Sequence, residues 1–161
     1  MKLDPITEHL LENKQDAIHI KIIKENSPEI KDAFKLWKLF IDDDNKYRVK
    51  YGLKTIDSDH KSFKDILKHR IIIGAYKDDV LVGIVSVYLG KKFGQVSSLI
   101  VEPKFRNKGI GTLLVKSAID YFKKEGRKEI YLNVWDDNKS AEKLYLKLGF
   151  KSVYHDMVKI I

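Results

Sequence analysis

Six residues, Arg106-Asn107-Lys108-Gly109-Ile110-Gly111, stand between an apolar run and an amphipathic helix pattern, and they constrain this chain more than any other segment. Upstream, Val96 to Val101 reads as a buried strand that stops at Glu102-Pro103, where proline has no N–H to continue a ladder. Downstream, Ile110, Leu113, Leu114, Ala118, Ile119 and Phe122 recur at helical spacing, Lys123 and Lys124 fall in the last turn, and Gly126 follows as a stop. The order is strand, basic glycine loop, helix. Glycines there let the backbone approach a ligand, and the free N–H groups of a first helical turn sit at the positive end of its dipole. A pyrophosphate suits such a cradle. Two familiar versions fail on the letters. A P-loop needs Gly-Lys-Ser/Thr, whereas Thr112 and Leu113 follow Gly111; a dinucleotide fingerprint needs a third small residue where Leu114 stands.

The remainder supplies a frame for that unit. Ile18 to Ile23 is a first strand, and Ser27-Pro28-Glu29 opens a helix through Ala33, Phe34, Trp37 and Phe40. The region from Asp42 to Lys68 is helical in pieces. Ile71 to Tyr76 and Val80 to Tyr88 flank Lys77-Asp78-Asp79 as a hairpin, and Lys91 to Gly94 turns into the strand at Val96, giving an antiparallel meander. Ile130 to Val134 follows a helix, so it joins the sheet by a parallel crossover. With 161 residues, 43% hydrophobic, and no linker, one domain over residues 18–161 is expected, preceded by a helical extension over 1–17. The longest uncharged run, Val80 to Gly90, is short of the roughly 20 residues of a membrane span, and the N-terminus lacks a signal-peptide core. No cysteine is present, which excludes disulfide and thiolate chemistry and makes the cytoplasm the default location. The five histidines show no ligand spacing, so no metal is expected.

The net charge of +8 is unevenly spread. Lys/Arg against Asp/Glu number 11 to 12 over residues 1–60, 7 to 4 over 61–103 and 13 to 7 over 104–161. The excess accompanies the phosphate loop, where it would steer a polyanion, and no specific nucleic-acid partner is expected.

The loop resembles motif A of the GNAT superfamily of acetyl-CoA-dependent N-acetyltransferases: Val101, Glu102, Pro103, Arg106, Gly109 and Gly111 match its Val-x-Pro and Arg-x-x-Gly-x-Gly pattern. A second block, Asn138, Ala141, Tyr145, Gly149 and Phe150, resembles motif B, and the likeness covers residues 70 to 155. The resemblance implies an α/β (α+β) fold with a mixed, mostly antiparallel sheet of six to seven strands flanked by helices and splayed between the fourth and fifth strands. It implies acetyl-CoA as acetyl donor and an amine as acceptor, with a homodimer allowed. Main-chain groups of Leu99, Ile100 and Val101 would meet the pantetheine arm and polarise the thioester carbonyl; Arg106, Asn107, Lys108, Gly109, Ile110 and Gly111 would hold the pyrophosphate; Asn138 would cap its helix and touch the cofactor. Tyr145 would give a proton to the leaving thiolate.

Without the motif, Tyr145 is an aromatic on the inward stripe of a helix with Ala141, Leu144 and Leu148, and Trp135 and Tyr131 are packing residues. The base is where the pattern departs: many relatives place a glutamate where this chain has Ser97, next to Ser98. A water relay or one of Asp42, Asp43, Asp44, Asp57, Asp59 and Glu102 is left for that task, with Asp42 to Asp44 otherwise a solvated helix start. Acceptor selection would lie near residues 40 to 60 and 88 to 94, where the acidic run is compatible with a cationic amine. A non-catalytic acyl-CoA-binding regulatory domain is the alternative to an enzyme, and it would have no use for Tyr145.

Overall fold

A computed structural model describes residues 17–161, so the helical extension expected over 1–17 lies, apart from Ala17, outside the described residues. The elements are β1 (Ile18–Ile23), α1 (Ile30–Lys50), α2 (His60–Leu67), β2 (Ile71–Lys77), β3 (Val80–Leu89), β4 (Gly94–Val101), α3 (Ile110–Lys124), β5 (Ile130–Tyr131) and α4 (Lys139–Lys147), with one 3₁₀ turn at Pro103–Phe105. The strands lie in chain order in one sheet, antiparallel from β1 to β4 and parallel between β4 and β5.

Local chemistry accounts for the pieces. Asp78 and Asp79 both take positive φ (48° and 60°), the two-residue turn whose twist matches a hairpin, and short acidic side chains tolerate it. In α1 the buried residues Ala33, Leu36, Trp37 and Ile41 fall on one stripe, and Glu29 ties the helix start to β1 by accepting from Lys21 Nζ at 2.8 Å. Gly52, at φ 71°, ends the helix. Asp59 caps α2 by accepting from the Ser62 N–H at 2.7 Å, and Phe63 then packs on Trp37 with ring centroids 5.3 Å apart.

Alternation along the strands divides the core into two layers. One face, with Ile73, Val85, Val87 and Val96, packs on Leu114, Ala118 and Phe122 of α3; the other, with Ile72, Ile84 and Ile100, packs on Trp37 and Phe63 of α1 and α2. No helix among the described residues is long and apolar enough to cross a membrane.

Two expectations change. The acidic run Asp42–Asp44 lies inside α1, not at a helix start, since the helix runs unbroken from Ile30 to Lys50. The sheet has five strands among the described residues, not six or seven. β5 ends at Tyr131, and Lys151 to Ile161 are exposed with no regular structure, Met157 and Ile161 almost completely so. Within β4 the register with β3 slips by one residue opposite Ser86 and Val87, leaving Ser97 as a bulge. A bulge increases strand twist and turns β4 away from β5, so their pairing is confined to Gly94–Ile130 and Gln95–Tyr131.

Candidate active site

The sheet therefore parts after Gln95, leaving one side of β4 without a strand partner from Val96 to Val101. The Glu102 N–H donates to the Val82 carbonyl at 2.9 Å, which fixes the phase of the antiparallel ladder. Residues opposite one another alternate between bonded and non-bonded pairs, so Ile100, opposite Ile84, turns its backbone groups into the β3 ladder. Leu99 and Val101 turn theirs into the gap. Of the three consecutive residues read as a main-chain surface, two face the opening and Ile100 contributes its buried side chain to the α1 layer.

At the end of β4 the loop doubles back on itself. Arg106 donates from Nε to the Val101 carbonyl at 2.9 Å and from Nη2 to Asp43 Oδ2 at 3.3 Å, so its guanidinium fastens the loop to β4 and to α1. Asn107 (φ 61°) and Gly109 (φ 79°) are both left-handed, and α3 starts immediately afterwards. A Cβ at Gly109 would touch nothing, so the residue is required by its φ and not by crowding. Its lack of a side chain also leaves the helix uncapped, with the N–H groups of Ile110 and Gly111 available to an anion. Gly111 differs: a Cβ there would stand 3.2 Å from Leu144 Cδ1, because α4 packs on the first turn of α3. The exposed Lys108 adds positive charge at the mouth of the loop.

That packing brings Tyr145 to the same neighbourhood. Tyr145 is 8% exposed and is the buried residue of α4, its ring edge-on to Phe150 at 5.8 Å. Burial pushes its phenol up to about 12, so it holds its proton throughout the neutral range. Asn138 starts α4 as expected, accepting from the Ala141 N–H at 3.2 Å.

The Acetyltransferase (GNAT) family pattern matches residues 34–150, most of the chain. The chain belongs to the GNAT family. An uncharacterized N-acetyltransferase of Methanocaldococcus jannaschii is 41% identical over 61 residues, covering 38% of this chain and 27% of that protein. N-alpha-acetyltransferase 30 of Xenopus laevis is 47% identical over 57 residues, covering 35% of this chain and 21% of its own length. The matched stretches thus span about a quarter of these relatives. Among solved structures, ribosomal-protein-alanine N-acetyltransferase from Brucella melitensis has a TM-score of 0.68 at 19% identity, covering 90% of this chain and 100% of that one. A GNAT acetyltransferase from Elizabethkingia anophelis with acetyl-CoA bound has a TM-score of 0.67 at 20% identity, covering 88% and 80%. At such identities the likeness is one of fold.

In this GNAT chain the carboxylates weighed as bases are mostly engaged with protein partners. Asp42 accepts from Lys38, Asp43 from Lys46 and Arg106, and Asp44 from Arg48 Nε at 2.8 Å and Trp135 Nε1 at 2.6 Å. Glu102 pairs with Lys104 at 3.2 Å, and Asp59 is the α2 cap. Trp135 does more than pack: it stacks on Tyr47 and Tyr51, each at 5.8 Å, and Tyr51 Oη and Lys50 Nζ both donate to Asp137 Oδ2 at 2.6 Å. These contacts clasp the end of α1 to the β5–α4 loop across the gap. Among the described residues, no group of three or more histidine or acidic side chains is arranged to hold a metal. Sequence reasoning missed Ser86, whose hydroxyl is buried without a partner, as is that of Ser97 in the bulge. The register sets Ser86 opposite Ser98, the residue after the bulge.

Proposed function

We propose that this chain is an N-acetyltransferase that moves the acetyl group of acetyl-CoA to a primary amine by direct attack, with both substrates bound at once. The observation that carries the reading is the parted β4 edge: backbone groups of Leu99 and Val101 face a gap that leads from an uncapped, glycine-led helix start. An extended amide-containing arm can add to such an edge as a further strand would, with its phosphates at Arg106 to Gly111. The left-handed pair at Asn107 and Gly109 fits that anionic group, and so does the excess of lysine in this half of the chain.

The chemistry then asks three things of the protein. A lysine-like amine has a reference pKa of about 10.4, so it sheds a proton before attack. Its nitrogen bonds the acyl carbon as the carbon–sulfur bond breaks, and the electron pair leaves with sulfur. During attack the acyl oxygen gains charge, which main-chain N–H groups at the β4 edge can meet. The departing sulfur, about 8.5 by reference, takes a proton from Tyr145 as the carbon–sulfur bond breaks, and the strongly basic phenolate regains one from the attacking nitrogen, which sheds its second proton as it becomes the amide. Asn138, at the start of α4, holds the helix that presents Tyr145.

Calorimetric titration with acetyl-CoA and with CoA, followed by thiol release over an amine panel, tests the reading. Saturable binding with amine-dependent thiol release is expected. Binding without release on any amine would turn the reading to an acyl-CoA-binding regulatory domain, and absence of binding would remove the phosphate loop from the account.

A further inference from the structure

An open cavity of about 450 Å³ lies on the α1–α2 face, lined by Asp65, Ile66, His69, Arg70, Tyr88 and Gln95. The strand register puts it at the point where the sheet parts. Tyr88 is opposite Gln95, and Gln95 is the last β4 residue paired to β5. It is six residues, roughly 20 Å, from the phosphate loop end of β4, which is where the thioester end of an arm laid along that strand would arrive. Strand alternation places Ser86 on the same face as Tyr88, two residues further in.

Two independent features of this cavity concern hydrogen bonding. Arg70 is half-buried, and its guanidinium makes no hydrogen bond or ion pair among the described residues; desolvation lowers its pKa. Guanidinium has five N–H donors and no acceptor, so an unpaired and partly desolvated one calls for an anion. Asp65 does not serve it, being paired with Lys68 Nζ at 2.6 Å. On the face of β3 that carries Tyr88, Ser86 Oγ is buried without a partner, and Ser86 is only 1% exposed. With Asp65 already paired, the charge this cavity leaves unanswered is the Arg70 cation.

Resting on the transferase reading above, we propose that this cavity receives the acceptor and that the acceptor is an amine bearing a carboxylate, gripped by Arg70 with its amine directed toward the point where β4 parts from β5. Planar bidentate pairing is the geometry in which a guanidinium discriminates a carboxylate from its amide. The acidic run of α1, which from sequence suited a cationic acceptor, is engaged with Lys38, Lys46, Arg48, Arg106 and Trp135.

The test uses matched pairs of acceptors in the thiol-release assay with the full chain: glycine and β-alanine against their amides, and tetrapeptides with free amino termini carrying Glu or Gln at the second position. The carboxylate member of one source is expected to exceed its neutral twin in kcat/KM by about 10- to 100-fold, the range for a hydrogen bond to a charged group. Arg70→Gln should bring that ratio to about one through KM, with Arg70→Lys intermediate and both variants still binding acetyl-CoA. A preference among amino acids would name a small amino-carboxylate, and one among tetrapeptides an acidic amino terminus. Equal rates within every pair, or a ratio unchanged in Arg70→Gln, would overturn the proposal. A second arm separates it from the transferase reading: titration of N-acetylglycine, of N-acetyl-β-alanine, of the two N-acetylated tetrapeptides and of the amide or Gln twin of each into the CoA-saturated protein. Carboxylate-dependent binding that Arg70→Gln abolishes supports the site even where no amine releases thiol; no difference within any pair overturns it.

Discussion

Arg106 bonds Val101 and Asp43 with one guanidinium, so the residue that a motif assigns to phosphate also sets the position of its own loop. Gly109 and Tyr145 carry sharper predictions. At φ 79° any side chain at 109 is strained, and Gly109→Ala should cost about 1–2 kcal/mol, seen as a melting temperature lower by roughly 2–8 °C. Gly109→Asp adds a negative charge where an anion is to bind, and titration should show acetyl-CoA binding lost; unchanged affinity would sink the pyrophosphate assignment. Tyr145→Phe should keep acetyl-CoA affinity and lower kcat by about 10²- to 10⁴-fold, the usual contribution of a proton donor. Because burial raises its pKa to about 12, the acid form is present at all lower pH and is lost only as pH passes that value, so Tyr145 should put no falling limb on the rate profile between pH 6 and 10. A limb near 10 that vanishes in Tyr145→Phe would contradict this. Gly109, Asn138 and Tyr145 were legible in the sequence because each does a local job at a helix end or on a helix stripe. Arg70 and Tyr88 were not, since their meeting at one cavity depends on how the end of α2 falls against β3, which leaves no mark in the letters.

Among the elements, β4 decides the most. At its first residue a Cβ on Gly94 would lie 2.4 Å from the Phe122 ring, which rests flat on the backbone there. Gly94→Ala should therefore displace a fully buried aromatic and lower stability by about 1–3 kcal/mol, measurable by urea unfolding; a smaller loss than Gly109→Ala gives would mean that α3 shifts freely. The hairpin at Asp78-Asp79, the start of α1 near Glu29 and the extent of α3 were readable, because turn chemistry and helical periodicity are short-range signals. The length of β5 was not. Leu132 and Val134 have strand-like chemistry, but a strand needs a neighbour, and the Ser97 bulge takes β4 away.

On the scale of the whole molecule, binding should couple to stability. Acetyl-CoA at 100 times its Kd should add about 2.7 kcal/mol, raising the melting temperature by roughly 5–10 °C, and an unshifted transition at saturating ligand would argue against a specific site. The division of the sheet has one more consequence. Only two residue pairs join β5 to β4 in the sheet, and α4 is held by side-chain contacts to α1 and α3 in place of a continuous ladder. Amide protons of α4 should then exchange with deuterated water well before those of β2 and β3, as one cooperative unit, and bound acetyl-CoA, bridging the two parts, should slow that exchange more than any other in the protein.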